Sequence, residues 1–125
     1  MKMTDIKLLD SSIWVDYLVN GNHKEFIENE DNILISSLSI FEIKKKLKLK
    51  EYDEKSISIS INYIKKRCSI IDVDVIIAEK AVEISLSSKT PMADSIIYTT
   101  ALLRKCKVIT LDNHFRNLEN VEILK

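Results

Sequence analysis

Four acidic residues stand where a chain of alternating strands and helices would turn or begin an element. Asp10 closes the apolar run 6–9, Glu42 lies inside a helical pattern, Asp94 follows the only proline by three residues, and Asp112 closes the apolar run 107–111. If the two runs are parallel neighbours, Asp10 and Asp112 emerge on the same edge of the sheet, the edge where open α/β sheets bind ligands. Two unit charges about 5 Å apart repel by roughly 3 kcal/mol at an effective dielectric near 20. Three or four such groups therefore raise their own pKa values or require a hard cation. Magnesium or manganese, with oxygen ligands and retained waters, relieves the repulsion. An acidic site of this kind suits in-line attack of a metal-activated water on a phosphodiester. No Ser-His-Asp or Cys-His set competes with it, and a chain with one glycine has no Gly-rich phosphate loop.

Each residue also has a simpler reading. Asp10, like Ser12, has the right chemistry to cap the following helix. Asp94 in a first turn complements a helix dipole, although it shares a helical face with Ile97, Tyr98 and Ala101, where an unpaired charge is costly. Glu42 has Lys46 four residues on, a favourable exposed pair. His114 either touches a substrate phosphate or supports a metal ligand, or is only a polar turn residue. Lys44, Lys45 and Lys46, with Lys48 and Lys50, form one of three basic clusters, and such a cluster either tracks a phosphate backbone or is a solvated helix face.

The elements that must position these groups can be read from periodicity. Strands are expected at 6–9, 32–36, 69–73, 107–111 and 121–124. Helical spacing of Ile13, Trp14, Tyr17 and Leu18 runs up to Gly21, a C-cap candidate. Further helical segments are expected at 23–29, 38–49, 75–87 and 91–105, the last opened by Thr90 as N-cap and Pro91 as first helical residue. In 38–49 the core stripe is Ile40, Ile43 and Leu47, with Glu42 on another side. The stretch SISISI at 56–61 alternates like a strand, yet Ile57, Ile61, Ile64 and Cys68 form a helical stripe, and the length of 54–68 favours a helix. Strands alternating with helices indicate an α/β domain with a mainly parallel five-stranded sheet.

The 125 residues are expected to form a single domain, 1–125, able to bury roughly two thirds of its unfolded surface. Lys+Arg and Asp+Glu both number 19, so global charge gives no argument for a nucleic-acid partner. No apolar run approaches a membrane span, and the opening MKMTD has no signal-peptide core behind it, so a cytoplasmic protein is expected. Cys68 and Cys106, far apart and without a CxxC pairing, are expected to be buried, reduced thiols.

The segments LLDSSIWVDYL, SLSIFEIKKKL, MADSIIYTTALL and VITLDNHF resemble, in order and spacing, the successive motifs of PIN-domain ribonucleases, especially the VapC-type toxins of toxin–antitoxin pairs. The resemblance spans nearly the whole chain. It implies a three-layer PIN-like fold with strand order 3-2-1-4-5, and it assigns 56–61 to a helix. It also implies that Asp10, Glu42, Asp94 and Asp112 bind Mg2+ or Mn2+ for endonucleolytic RNA cleavage, with Ser12 supporting them by hydrogen bonding. A cognate antitoxin and a homodimer are the implied partners. Many relatives carry a further acidic residue where this chain has His114. The alternative is a PIN-like module that binds RNA or protein without cleavage, against which four retained carboxylates argue. A phosphoaspartate enzyme of haloacid-dehalogenase type would need an Asp at position 12, which is Ser.

Overall fold

The computed structural model describes residues 6–29 and 32–125; the MKMTD opening lies outside them. Five short strands, β1 (Lys7–Leu9), β2 (Ile33–Ser36), β3 (Ser69–Ile71), β4 (Lys107–Thr110) and β5 (Val121–Ile123), form one sheet in the order β3-β2-β1-β4-β5, every pair parallel. The helices are α1 (Ser11–Asn20), α2 (Lys24–Ile27), α3 (Ser37–Leu49), α4 (Glu54–Arg67), α5 (Val75–Ser88) and α6 (Met92–Leu103), with a 3₁₀ turn at Asn113–Phe115. Among the described residues, no helix is long and apolar enough to cross a membrane.

The strands are apolar on both faces because both faces are covered. Successive side chains of a strand point oppositely, and here they feed two separate cores. Leu9 and Ile109 join Trp14, Ile43, Leu47, Ile57 and Ile64 on the side of α1, α3 and α4. Leu8 and Val108 join Ile97, Tyr98, Ala101 and Phe115 on the side of α6. Three layers result.

The ambiguous stretch 56–61 is part of α4. Asp53 caps it, accepting from Ser56 N–H at 2.7 Å. Ile57, Ile61 and Ile64 are buried while Ile59 is 62% exposed; a strand would have put Ile57, Ile59 and Ile61 on one face. Gly21 ends α1 in the left-handed region (φ 75°), its N–H bonding to the Tyr17 carbonyl at 2.9 Å.

Both expected ends of α6 move. Pro91 is not the first helical residue of α6: its ψ of 156° leaves it in the cap position, and Thr90 lies outside the helix, its carbonyl accepting from Ser95 Oγ at 3.0 Å. At the other end α6 stops at Leu103 rather than 105, because Lys105 turns left-handed (φ 54°) and Cys106 N–H returns to the Ala101 carbonyl at 3.0 Å. Both cysteines are free. Cys106 is buried and Cys68 half-buried, and burial pushes their thiols up to about 11 and about 12.

Candidate active site

Strand β1 delivers Asp10 to the carboxyl edge of the sheet beside β4. Its N–H bonds to the Ile109 carbonyl at 3.0 Å, continuing the ladder one residue past the strand. Pairing of Leu9 with Ile109 then sets Asp10 opposite Thr110. Thr110 Oγ1 donates to Asp10 Oδ2 at 2.7 Å, and Ser12 Oγ donates to the same oxygen at 3.0 Å. Each hydroxyl also accepts a backbone N–H: Asp112 to Thr110 at 2.9 Å and Leu111 to Ser12 at 3.0 Å. Two amides at the exit of β4 are thus relayed through two hydroxyls to one carboxylate oxygen. Asp10 occupies the N-cap position of α1 but makes no side-chain cap hydrogen bond, so capping is not what the carboxylate does.

Glu42 projects from α3 and is half-buried, one turn before Lys46 and two before Lys50. Asp94 lies in the first turn of α6 and is buried, on the face shared with Ile97, Tyr98 and Ala101. Asp112 follows β4 and accepts from His114 N–H at 2.9 Å, capping the 3₁₀ turn. His114 Nδ1 lies 3.1 Å from Asp112 Oδ1 and 3.2 Å from Asp94 Oδ2.

All four carboxylates face one cleft of about 510 Å³, with Ser11 and Ser12 on its floor and Val15, Val19 and Leu111 as apolar wall. Their electrostatics are strained. Burial raises the Asp10 pKa against the opposing hydrogen bonds of Thr110 and Ser12, and Asp112 raises it further. Glu42 is raised by burial and then by Asp10 and Asp112, with Ser11 opposing. Asp94 is pushed up to about 6, first by burial, then by Asp112 and Asp10, with His114 opposing and Glu42 adding. A first-turn carboxylate that served only the helix dipole would be shifted downward.

The lysine cluster is divided. Lys46, with Lys50, lines the acidic cleft. Lys44 and Lys45 lie on a different face of α3 with Lys48, Leu49 and Phe41, where Lys45 Nζ stands 5.9 Å from the Phe41 ring centre. Lys46 is not among the groups that shift the Glu42 carboxyl, whose pKa is raised where an ion pair would lower it, so exposed pairing does not account for Glu42.

Thr110 and Asp16 escape the sequence reading, and Lys50, there only one member of a basic cluster, lines the cleft. Thr110 is a lone hydroxyl at the end of an apolar strand, and its role is legible only once β1 and β4 are paired in register. Lys50 lies eight residues after Glu42, two helical turns on. Asp16 also lines the cleft, held by Asn20 at 2.7 Å, Asn22 at 3.1 Å and His23 at 2.6 Å.

A model of the PIN domain family matches residues 7–121. The chain belongs to the PIN domain family. No curated protein matches it significantly by sequence. Among solved structures, this PIN domain is similar to a chain of a toxin–antitoxin complex from Klebsiella pneumoniae (24% identity, 93% of this chain and 95% of that one, TM-score 0.77). It is also similar to a chain of DNA-bound VapBC from Salmonella typhimurium (19% identity, 95% and 96%, TM-score 0.78). A third is VapC20 from Mycobacterium tuberculosis, described as a sarcin-ricin loop cleaving toxin (12% identity, 95% and 99%, TM-score 0.73). At these identities the likeness is one of fold.

Proposed function

We propose that this PIN domain, acting as one unit over 1–125, is a metal-dependent endoribonuclease and the toxin of a type II toxin–antitoxin pair. The observation that carries this reading is the convergence of four carboxylates on one cleft, where Asp10, Glu42 and Asp94 all have raised pKa values, first from burial and then from their acidic neighbours. A scaffold without chemistry gains nothing from holding like charges together, and this disfavours the alternative of a non-catalytic binding module.

The donor set fits a divalent cation: carboxylate oxygens from Asp10, Glu42, Asp94 and Asp112 would hold it, and Mg2+ or Mn2+ suits them. When bound, such an ion supplies charge stabilisation to the attacking and leaving oxygens of a phosphodiester. The chain's own residues do the positioning. Ser12 and Thr110 fix Asp10 by occupying Oδ2, which leaves Oδ1 turned to other uses. Lys46 and Lys50 line the cleft beside Glu42, where they can hold phosphates flanking the scissile one. Lys44 and Lys45 would meet RNA only beyond the cleft. The substrate class is RNA, typically structured and cut at a single-stranded site, and the site of action the cytoplasm. A cognate antitoxin as inhibitor is supported by the likeness to chains of toxin–antitoxin complexes, and a homodimer is proposed with it.

The experiment is an incubation of purified protein with mixed cellular RNA in magnesium, in manganese and in chelator, beside Asp10→Asn. Cleavage is expected with either metal and lost in chelator and in the variant. Identical RNA profiles in all four conditions would leave only the binding-module reading.

A further inference from the structure

We propose that the His114 imidazole is itself a ligand of the divalent ion, through Nδ1 and beside Asp94 and Asp112, and that it turns the cleft toward first-row transition ions such as Mn2+ and away from Mg2+. The inference rests on the metal-site reading above and adds to it the identity of one donor and the ion that donor selects.

The spacing carries the argument. Nδ1 lies 3.2 Å from Asp94 Oδ2 and 3.1 Å from Asp112 Oδ1. Ligands about 2.1 Å from an octahedral ion, at right angles to each other, stand about 3 Å apart. One ligand atom from each of the three residues lies within 4.8 Å of the others, a group that one ion can span. The placement is also fixed by the backbone. His114 N–H is held by Asp112 Oδ1, and the neighbouring Phe115 is fully buried in the core beneath α6, so the turn that presents the ring is anchored at both ends. The side chain itself is 63% exposed, which leaves the rest of the ring open to water.

Chemistry then decides the selection. Mg2+ keeps oxygen ligands and dehydrates reluctantly, whereas affinity for a nitrogen donor rises along the transition series from Mn2+. A carboxylate in place of His114 would make the set all-oxygen and remove that bias. The same contacts also fit an imidazolium that serves only as counter-ion to Asp94 and Asp112 and leaves when the ion arrives. The two cases differ in whether nitrogen is bound to the metal.

Mn2+ added to the full-length protein is the probe, and no RNA is needed. Electron spin echo modulation should show the ¹⁴N coupling of a directly bound imidazole in wild type and lose it in His114→Asp. The other of the chain's two histidines, His23, is tied to Asp16 and persists in the variant as an internal control. Competition binding should show His114→Ala weakening Mn2+ by roughly tenfold or more, with Mg2+ affected less. His114→Asp should improve Mg2+ and lower the Mn2+/Mg2+ preference further. Bound Mn2+ without ¹⁴N coupling, or a preference unchanged in both variants, overturns the proposal and leaves the metal site standing. A wild-type protein that binds neither ion overturns both.

Discussion

Thr110 Oγ1 donates to Asp10 Oδ2 across 2.7 Å, joining the last residue of β4 to the residue that follows β1, a hundred positions earlier. The bond is buried and its donor is backed by the Asp112 amide. It fixes the carboxylate and fastens the two central strands at the edge where the cleft opens.

Removing that hydroxyl while keeping its shape should be costly. Thr110→Val leaves Asp10 with one hydroxyl donor and the Asp112 amide without its acceptor, so a loss of about 1–3 kcal/mol is expected in denaturant unfolding. Thr99 is the internal contrast, since its buried Oγ1 has no hydrogen-bond partner. Thr99→Val should be neutral or stabilising. Equal losses in the two variants would mean that the Thr110 bond has no special weight.

Metal-free stability should fall as pH rises from about 4 to above 6. Asp10, Glu42 and Asp94 all have raised pKa values, so the folded state binds more protons than the unfolded one across this window. For Asp94 the contribution is complete below its ordinary value of 3.8 and is lost as pH passes about 6. A divalent ion competes with those protons and should bind more tightly as pH rises. Thermal melts in chelator and in magnesium from pH 4 to 8 test both slopes; a chelator curve that climbs steadily across pH 4 to 6 contradicts the first.

Asp94→Asn should act in opposite directions with and without metal. Relief of repulsion should raise the melting temperature in chelator, while the magnesium-induced rise shrinks and cleavage disappears. In wild type that rise corresponds to about 2.7 kcal/mol at a hundred times the dissociation constant. An Asp94→Asn protein that melts lower in chelator would point to dipole complementation instead.

The two faces of α3 should separate in the salt dependence of RNA binding. Lys46 and Lys50 line the cleft, whereas Lys44 and Lys45 do not. A Lys46→Ala, Lys50→Ala protein should lose about 1.4 from the slope of log affinity against log salt, at about 0.7 per phosphate on single strands. Lys44→Ala, Lys45→Ala should keep its slope. The reverse pattern would move the RNA track to the outer face.

Within α4 the same residue type has opposite weights. Ile57→Ala empties a buried site and should cost about 2–5 kcal/mol, while Ile59→Lys on the exposed face should stay within about 0.5 kcal/mol. Comparable destabilisation by both would be the signature of a strand.

Much of this arrangement can be read from residue order, and the parts that cannot share a cause. Apolar runs ending in Asp10 and Asp112 locate two strand ends, and the burial of Asp94 follows from its helical neighbours Ile97, Tyr98 and Ala101. The resemblance to PIN domains supplies the strand order, which spacing alone leaves open. What stays hidden depends on register and rotation about a helix axis. Thr110 matters because β1 and β4 pair Leu9 with Ile109, and Lys46 parts from Lys44 and Lys45 because a helix turns about 100° per residue. Residues adjacent in sequence can then serve different surfaces. The end of α6 differs from its periodicity for a local reason, the left-handed turn at Lys105, which lacks the glycine that usually announces it.

The sheet order also sets a timetable for synthesis on the ribosome. Strand β4 lies beside β1, yet Asp94 and Asp112 come from the last third of the chain and Asp10 from its start. Chains emerge amino end first, at about 5–20 residues per second. A nascent polypeptide that has released only β1, β2 and β3 holds two of the four carboxylates and lacks the strand whose threonine orients Asp10. Premature termination anywhere before β4 therefore yields a fragment without the four-carboxylate cleft, which comes into being only once translation is nearly complete.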